Sequence, residues 1–490
     1  MGLHLTKSKY IAGRTCPRML WHLIYNPDLF ADSEPGSIQD IGTLVGQIAH
    51  QLFPGGVIVN EQAWEHEEAV RQTLSLMKDK SVPAIFEAAF EFDGVRVRVD
   101  VLERLGRGRW GLREVKSTGK FKDHHVDDLA IQLYVLTGAG VKVSSVELIC
   151  INTDYTRGKR GINWQRFFQR IETTQTVNAV LDDVKKHLKA LRAVVRKRHE
   201  PKVEPSSHCP SYCHRWDACR AKKPEDWIET LPNLREGLRK RLLDAGIQAI
   251  RDIPDDFGLN GNQEKVRQSW QGDPEWVSED LAKALKPFGP PALYMDFETF
   301  NPAIPRYAGT RPFQQIPFQW SLHRLTREGR LSHKEFLADG NGDPRRAFAE
   351  SLIKAVGVAK TPIIVYSSFE RTQLAKLATS FPDLADDLNV IINRLADLLP
   401  ITRGYIYLRD FGGSFSIKAV APALSPDLTY DDLELVSDGG AASTTFTRLT
   451  SGMLGEYETP TVLRNALLEY CKRDTMAMVK AHKALIQRIN

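Results

Sequence analysis

Apolar and polar residues alternate strictly in VRVRVDV (95–101), and a second run, RWGLREVK (109–116), follows the Gly-rich segment LGRGR. A period of two interrupted by glycines predicts an antiparallel β-hairpin. With the turn centred on Arg107, Asp100 lies opposite Glu114, and side chains so paired stand about 5 Å apart. Glu114 and Lys116 are two residues apart and share a face. The stretch SIQDIGTLVGQIAHQLF instead has a helical period, with Ser37 as its N-cap. It sets Gly42, Gly46 and His50 on one face, where the glycines predict close approach to another element. VDDLAIQLYVL predicts a second helix, carrying Gln132 and Tyr134. Further on, PALYMDFETF is an apolar strand with Asp296 and Glu298 on one face. PIIVY is a buried strand leading into a helix with Glu370, and Asp397 follows the apolar run NVIINRLA. In LRDFGGSFSIKAVAPAL a Gly-Gly turn precedes a short helix, and LLEYCKRDTMAMVKAHKAL is an amphipathic helix. There Tyr470 and Asp474, at i and i+4, project side by side.

These elements separate into three regions of an α/β protein: 1–222, a charged and helical connector over 223–290, and 291–490. Within the connector, LRKRLLDAGIQAIRDIP reads as a helix-hairpin-helix turning at Gly246, a shape that offers backbone N–H groups to a phosphate. The 490 residues are 42% hydrophobic, which excludes a disordered chain. The net charge, 66 − 61 = +5, permits a polyanionic partner without requiring one. No run approaches the roughly 20 apolar residues of a membrane span, and MGLHLTKSKY lacks the apolar core of a secretion signal. A cytoplasmic protein with no membrane partner is expected.

Six cysteines add chemistry. Cys150 and Cys471 read as core thiols, whereas Cys209, Cys213 and Cys219 fall in HCPSYCHRWDAC, a spacing suited to a metal in a reducing compartment. Cys16 is the natural fourth ligand. Four thiolates suit an iron–sulphur cluster or a tetrahedral zinc, and a zinc site could also enlist His208 or His214. In the hairpin, paired Asp100 and Glu114 repel unless a divalent cation lies between them, with Lys116 beside them to hold a water. In the third region, Asp296, Glu298, Asp474 and Tyr470 form a set able to surround two metal ions and hydrolyse a phosphodiester.

The Cys-Pro-x-x-x-Trp start, the GxxxH helix, the Asp…Glu-x-Lys hairpin, the Gln-bearing helix and the distal cysteines occur in one order. That order resembles the RecB-like branch of the PD-(D/E)XK nucleases, in particular the iron–sulphur members of CRISPR adaptation and of the AddB subunit. The resemblance implies a restriction-endonuclease-like domain. In it His50, Asp100 and Glu114 bind Mg2+ or Mn2+, the Val115 carbonyl is a further ligand, and Lys116 and Gln132 are catalytic. It also implies that Cys16, Cys209, Cys213 and Cys219 hold a 4Fe–4S cluster. Two features depart from the family: C-x3-C replaces C-x2-C, and Tyr134 lies only two residues after Gln132. The third region resembles the DEDD exonucleases of the DnaQ, RNase H-like superfamily, as in a bacterial family that joins such a domain to a RecB-like one. This implies metal ligation by Asp296, Glu298, Glu370 and Asp474, with Asp397 in reserve and Tyr470 orienting the water. Glu370 stands where the family has Asp. Together the resemblances imply a nuclease of single-stranded DNA with two active sites, in repair or defence. The alternatives are an RNA-trimming exonuclease whose first domain grips nucleic acid, and a non-catalytic scaffold.

Overall fold

The computed structural model describes residues 4–30, 38–61, 65–205, 209, 213, 216–455 and 458–489. Ser37, His208 and His214 lie outside them. The chain forms two compact units, one of residues 1–204 with 302–314, the other of 205–301 with 315–490. Both are mixed α/β structures.

The strands of the first unit are β1 (Leu5–Thr6), β2 (Val57–Ile58), β3 (Ala84–Phe92), β4 (Val95–Gly106), β5 (Arg109–Lys116), β6 (Val143–Ile151) and β7 (Phe168–Glu172). They form one sheet in the order β2-β3-β4-β5-β6-β7, with β1 beside the start of β4. The hairpin register is as the alternation predicts: Val101 pairs with Arg113, so the next position sets Asp100 across from Glu114. Gly106, Arg107 and Gly108 all have positive φ, which closes the turn. β5 and β6 are parallel, joined through the helix His124–Gly138. Residues alternate between two cores along β6. Leu148 and Cys150 enter one beneath the helices Lys7–Thr15, Pro17–Tyr25, His124–Gly138 and Thr174–Val195; Ile149 and Ile151 enter the other. That second core takes Val45 and Ala49 from the helix Ile38–Ala49, and Ala303 and Phe313 from segment 302–314.

The second unit contains β8 (Glu275–Val277), β9 (Ala292–Phe300), β10 (Ile316–Leu325), β11 (Leu331–Leu337), β12 (Ile363–Val365), β13 (Leu395–Asp397) and β14 (Ile406–Leu408). Its main sheet runs β11-β10-β9-β12-β13, with β10 antiparallel to both neighbours and β12 parallel to both of its own. Leu293, Met295 and Phe297 of β9 pack on one face with the helix Arg345–Val356. Ala292 and Tyr294 pack on the other, with Ala477, Met478 and Leu485 of the C-terminal helix Pro460–Gln487.

The middle segment is not a separate connector. Trp227, Ile228, Leu231, Leu242, Ile250, Ile253 and Leu285 belong to the same core as Tyr294 and the C-terminal helix, so burial draws 223–290 into the second unit. The helix-hairpin-helix does not form either. A helix spans Glu236–Asp244 and Gly246 turns with φ of 75°, but only the short 3-10 turn Ile250–Asp252 follows. Ile250 and Ile253 are buried, and Ala249 bridges to Trp227, which holds this stretch open against the core.

The Gly-Gly turn does form, with φ of 58° at Gly412 and 78° at Gly413. A Cβ on Gly413 would stand 1.8 Å from the Thr230 carbonyl oxygen. We expect Gly413→Ala to destabilise the protein by roughly 2–4 kcal/mol, combining backbone strain with a clash against backbone. Gly412→Ala, which meets no atom within 4 Å among the described residues, carries only the cost of positive φ. Urea unfolding monitored by tryptophan fluorescence checks both.

Candidate active sites

Each unit gathers carboxylates that its strand alternation sets on one face, but the two clusters are balanced differently.

In the first unit Glu114 is buried at the end of β5, with a saturated carboxylate. Its Oε1 accepts from Lys7 Nζ at 3.0 Å and Lys116 Nζ at 2.7 Å. Its Oε2 accepts from Gln132 Nε2 at 2.7 Å and again from Lys7 at 3.2 Å. Burial works to raise the Glu114 pKa, but Lys7 and Lys116 reverse this and hold the carboxyl well below its usual range. Asp100 behaves oppositely. Burial, with Glu114 opposite, pushes it up to about 7, although its Oδ2 accepts from the Val115 N–H at 2.7 Å. Lys116 also contacts Asp128, which lies one turn before Gln132 on the same helix. Lys7 opens the N-terminal helix, whose cap is the Thr6 side chain, and reaches 3.6 Å from Asp128.

The structure thus brings Asp100, Glu114, Lys116 and Gln132 together. The predicted helix stops one residue short of His50. The α-helix ends at Ala49, His50 begins a 3-10 turn, and its ring stacks on Phe86 with centroids 3.8 Å apart. Nor do Gly42 and Gly46 serve close packing: among the described residues, nothing lies within 4 Å of where either Cβ would stand. Val45 and Ala49 carry the helix into the core instead. Tyr134 donates to Asp93 at 3.0 Å, on another face of its helix.

Three participants escape the sequence reading. Asp128 had a signal, its i, i+4 spacing to Gln132. Lys7, more than a hundred residues from Glu114, had none. Glu87 lies in β3 between residues paired with Val101 and Val99, hence across from Asp100, and has φ of 56°. Such a conformation in a strand is strained, as is common where a fold aims a side chain at a site. Burial raises the Glu87 carboxyl pKa.

In the second unit, Asp296 and Glu298 continue the face of β9 begun by Ala292 and Tyr294. The C-terminal helix crosses this face and is pinned to it. Gln319 of β10, which pairs with Glu298, donates to the Leu467 carbonyl at 2.7 Å, and Tyr294 bonds His482 at 2.9 Å. The helix therefore presents Tyr470, Cys471 and Asp474 to the two acids. Donor atoms of Asp296, Glu298 and Cys471 all lie within 4.8 Å of one another. The core thiol expected of Cys471 is indeed buried, yet its Sγ lies 3.8 Å from Asp296 Oδ2. Glu370, second residue of the helix Phe369–Ser380, is buried against Asp296, and its Oε2 has no hydrogen-bond partner among the described residues. Asp397 accepts from the Leu399 N–H at 2.9 Å, and its charge adds to the raised pKa of Glu370.

Burial raises all four carboxyl pKa values. Asp474, Glu298 and Glu370 add to the shift at Asp296, and Glu370 itself is pushed up to about 8. Two phenols hold Asp474: Tyr430 donates to its Oδ1 at 2.8 Å, and Tyr470 bonds it from one turn before. Lys418 exerts the positive charge that acts on both Glu298 and Asp474. Neither Tyr430 nor Lys418 carried a sequence signal. Asp296 stands between two clefts. One, of about 420 Å3, is lined by Glu298, Tyr470, Asp474, Gly439 and Gly440; the other, of about 520 Å3, by Glu370, Arg403, Ser414 and Phe415.

The four carboxylates, one with an orphaned oxygen, suit Mg2+ or Mn2+ at the second unit's cluster, with the Cys471 sulfur close beside them. At the first, a cation on Glu114 would take over contacts now made by Lys7. Of the cysteines, Cys16 joins the helices Lys7–Thr15 and Pro17–Tyr25 in the first unit. Cys209, Cys213 and Cys219 lie in the second, where the Cys213 N–H donates to the Cys209 carbonyl at 2.9 Å and Cys219 sits in the helix Trp216–Arg220. All three, like Cys16, are half-buried.

Residues 293–416 match a family model described as a domain of unknown function (DUF2779). The match includes Asp296, Glu298, Glu370 and Asp397 but stops short of Lys418, Tyr470 and Asp474. No curated protein matches the chain. Among the described residues no helix is long and apolar enough to cross a membrane.

The raised carboxyl pKa values have a thermodynamic consequence. In metal-free protein, protons held by native Asp296, Glu298 and Glu370 are lost earlier by the unfolded chain. For Glu370 this stabilisation is complete below about pH 4 and lost as pH rises through about 8, and Asp296 and Glu298 act in the same direction. With EDTA present, we expect the second unit's melting temperature to fall across that window. Glu370→Gln should flatten the fall, and Mn2+ should reverse it, in calorimetric scans.

Proposed function

We propose that the protein is a metal-dependent nuclease that hydrolyses phosphodiester bonds, with a PD-(D/E)XK-like centre in the first unit and a DEDD exonuclease-like centre in the second. The observation that carries this reading is the second cluster. Buried Glu298, Glu370 and Asp474 converge there on half-buried Asp296, with Lys418 as their nearby counter-charge, an arrangement that repels itself unless multivalent cations occupy it. The strand order supports the fold assignment. Numbering from β9, the second sheet runs 3-2-1-4-5 with its second strand antiparallel, the order of RNase H-like domains. In the first unit, an acid-bearing hairpin followed by a parallel crossover suits the PD-(D/E)XK plan.

At the second centre Asp296, Glu298, Glu370 and Asp474 would hold divalent ions, which would activate a water and neutralise phosphate charge. Asp474 is oriented by two phenols, and Tyr470 stands in the cleft wall where it can hold that water. At the first centre, Asp100 and Glu114 are the ligands, Gln132 and Asp128 orient them and Lys116, and Lys116 steadies the attacked phosphate. Single-stranded DNA is the proposed substrate. Glu114, whose two oxygens already take four hydrogen bonds, favours a second reading in which the first unit grips nucleic acid and the second alone cuts. We also propose that Cys16, Cys209, Cys213 and Cys219 are ligands of a 4Fe–4S cluster.

Wild-type protein should degrade labelled single strands with Mn2+ or Mg2+ and stop with EDTA. Asp296→Ala and Glu114→Ala should each lower the rate of their own centre at least a hundredfold. Under the gripping reading, Glu114→Ala leaves the rate unchanged while Asp296→Ala abolishes it. Cleavage unchanged in the double variant overturns both. Iron analysis and visible absorption of freshly purified protein test the cluster; colourless protein containing zinc replaces it with a zinc site.

A further inference from the structure

The second cluster, once loaded, leaves a charge deficit. Four carboxylates and two divalent ions sum to zero, yet a phosphodiester brings one negative charge and its hydrolysis concentrates another. An additional cation aimed at the cleft is needed to hold the substrate. Arg473 is engaged with Asp432 and Glu469 on the outer side of its helix. Lys418 is different.

Lys418 is the second residue of the helix Ile417–Leu424, which follows directly on the Gly412–Gly413 turn. Its Nζ lies 4.7 Å above the Tyr470 ring and 5.6 Å above the Tyr430 ring, the two phenols that hold Asp474. One N–H is anchored on the Ser437 carbonyl at 2.5 Å. An ammonium has three donors, so two are left for a ligand. Ser437 leads into the helix Gly439–Ser451, capped by Asp438, whose first residues Gly439 and Gly440 line the cleft beside Glu298. A Cβ on Gly439 would stand 3.7 Å from Glu298 Oε2, so glycine keeps room for a group between that carboxylate and the helix start. The two rings hold the ammonium beside Glu298 and Asp474, on both of which its charge acts.

We propose that Lys418 binds the phosphate being cleaved in the second unit, supplying the cation that the acids and their metal ions do not. This rests on the hydrolytic reading of that unit. Being held by Ser437 and the tyrosines, Lys418 is in place before substrate arrives, so its contribution is electrostatic and little ordering is needed on binding.

The test uses full-length chain carrying Glu114→Gln, so that only the second centre cuts, with Mn2+ and a 5′-labelled oligothymidylate. Lys418→Met should lower kcat/KM about tenfold or more, and Lys418→Arg should stay within about threefold of the parent, since the charge is retained. The salt dependence of kcat/KM should also become shallower in Lys418→Met, by about 0.7 in the logarithmic slope for one lost contact to a single strand. Equal losses in the Met and Arg variants with an unchanged slope would mean a packing role and overturn the inference, as would an unaffected Lys418→Met. If wild type cuts but the Glu114→Gln parent does not, cleavage belongs to the first unit. The hydrolytic reading of the second then falls, and this inference with it.

Discussion

Mutual repulsion among buried carboxylates is the constraint around which the second unit is arranged. Asp296 and Glu298 come from one strand, Glu370 from the start of one helix and Asp474 from the middle of another, and all but half-buried Asp296 sit where water is scarce. A fold keeps such a group together only by fixing each contributor through contacts that do not involve the acids. Here those contacts are the Gln319–Leu467 and Tyr294–His482 hydrogen bonds and the apolar seam of Ala477, Met478 and Leu485 against β9. The site is therefore destabilised locally and stabilised a few residues away, the usual distribution of strain at functional centres.

The first unit solves a similar problem by internal neutralisation. Lys7 and Lys116 converge on Glu114, with Gln132 completing its hydrogen bonds, so the acid stays ionised despite burial. Asp100, with a single backbone donor to its Oδ2, absorbs the repulsion by a raised pKa. Two carboxylates facing each other across a hairpin thus have opposite protonation tendencies, set by which of them the lysines reach.

Segment 223–290 shows how burial overrides local pattern. Its charged, proline-rich sequence looks like a linker, yet its scattered Trp, Ile and Leu residues complete the core behind β9. It also supplies the Thr230 carbonyl against which Gly413 packs, and so fixes the turn that launches the helix bearing Lys418.

Local periodicity alone determined the β4–β5 register and hence the Asp100–Glu114 pairing, the shared face of Asp296 and Glu298, the Tyr470–Asp474 spacing and the Gly-Gly turn. Each follows from the repeat of a strand or helix over a few residues, which the sequence carries explicitly. Only tertiary structure decided that Lys7 meets Glu114, that Glu87 turns to a positive φ opposite Asp100, that Glu370 rather than Asp397 faces Asp296, and that Tyr430 and Lys418 join Asp474. These residues approach across tens to hundreds of positions. Their meeting depends on how helices dock on the sheets, which no local period encodes. His50 marks the boundary: its helical spacing was legible, but the helix stops one residue before it and the Phe86 ring sets its place.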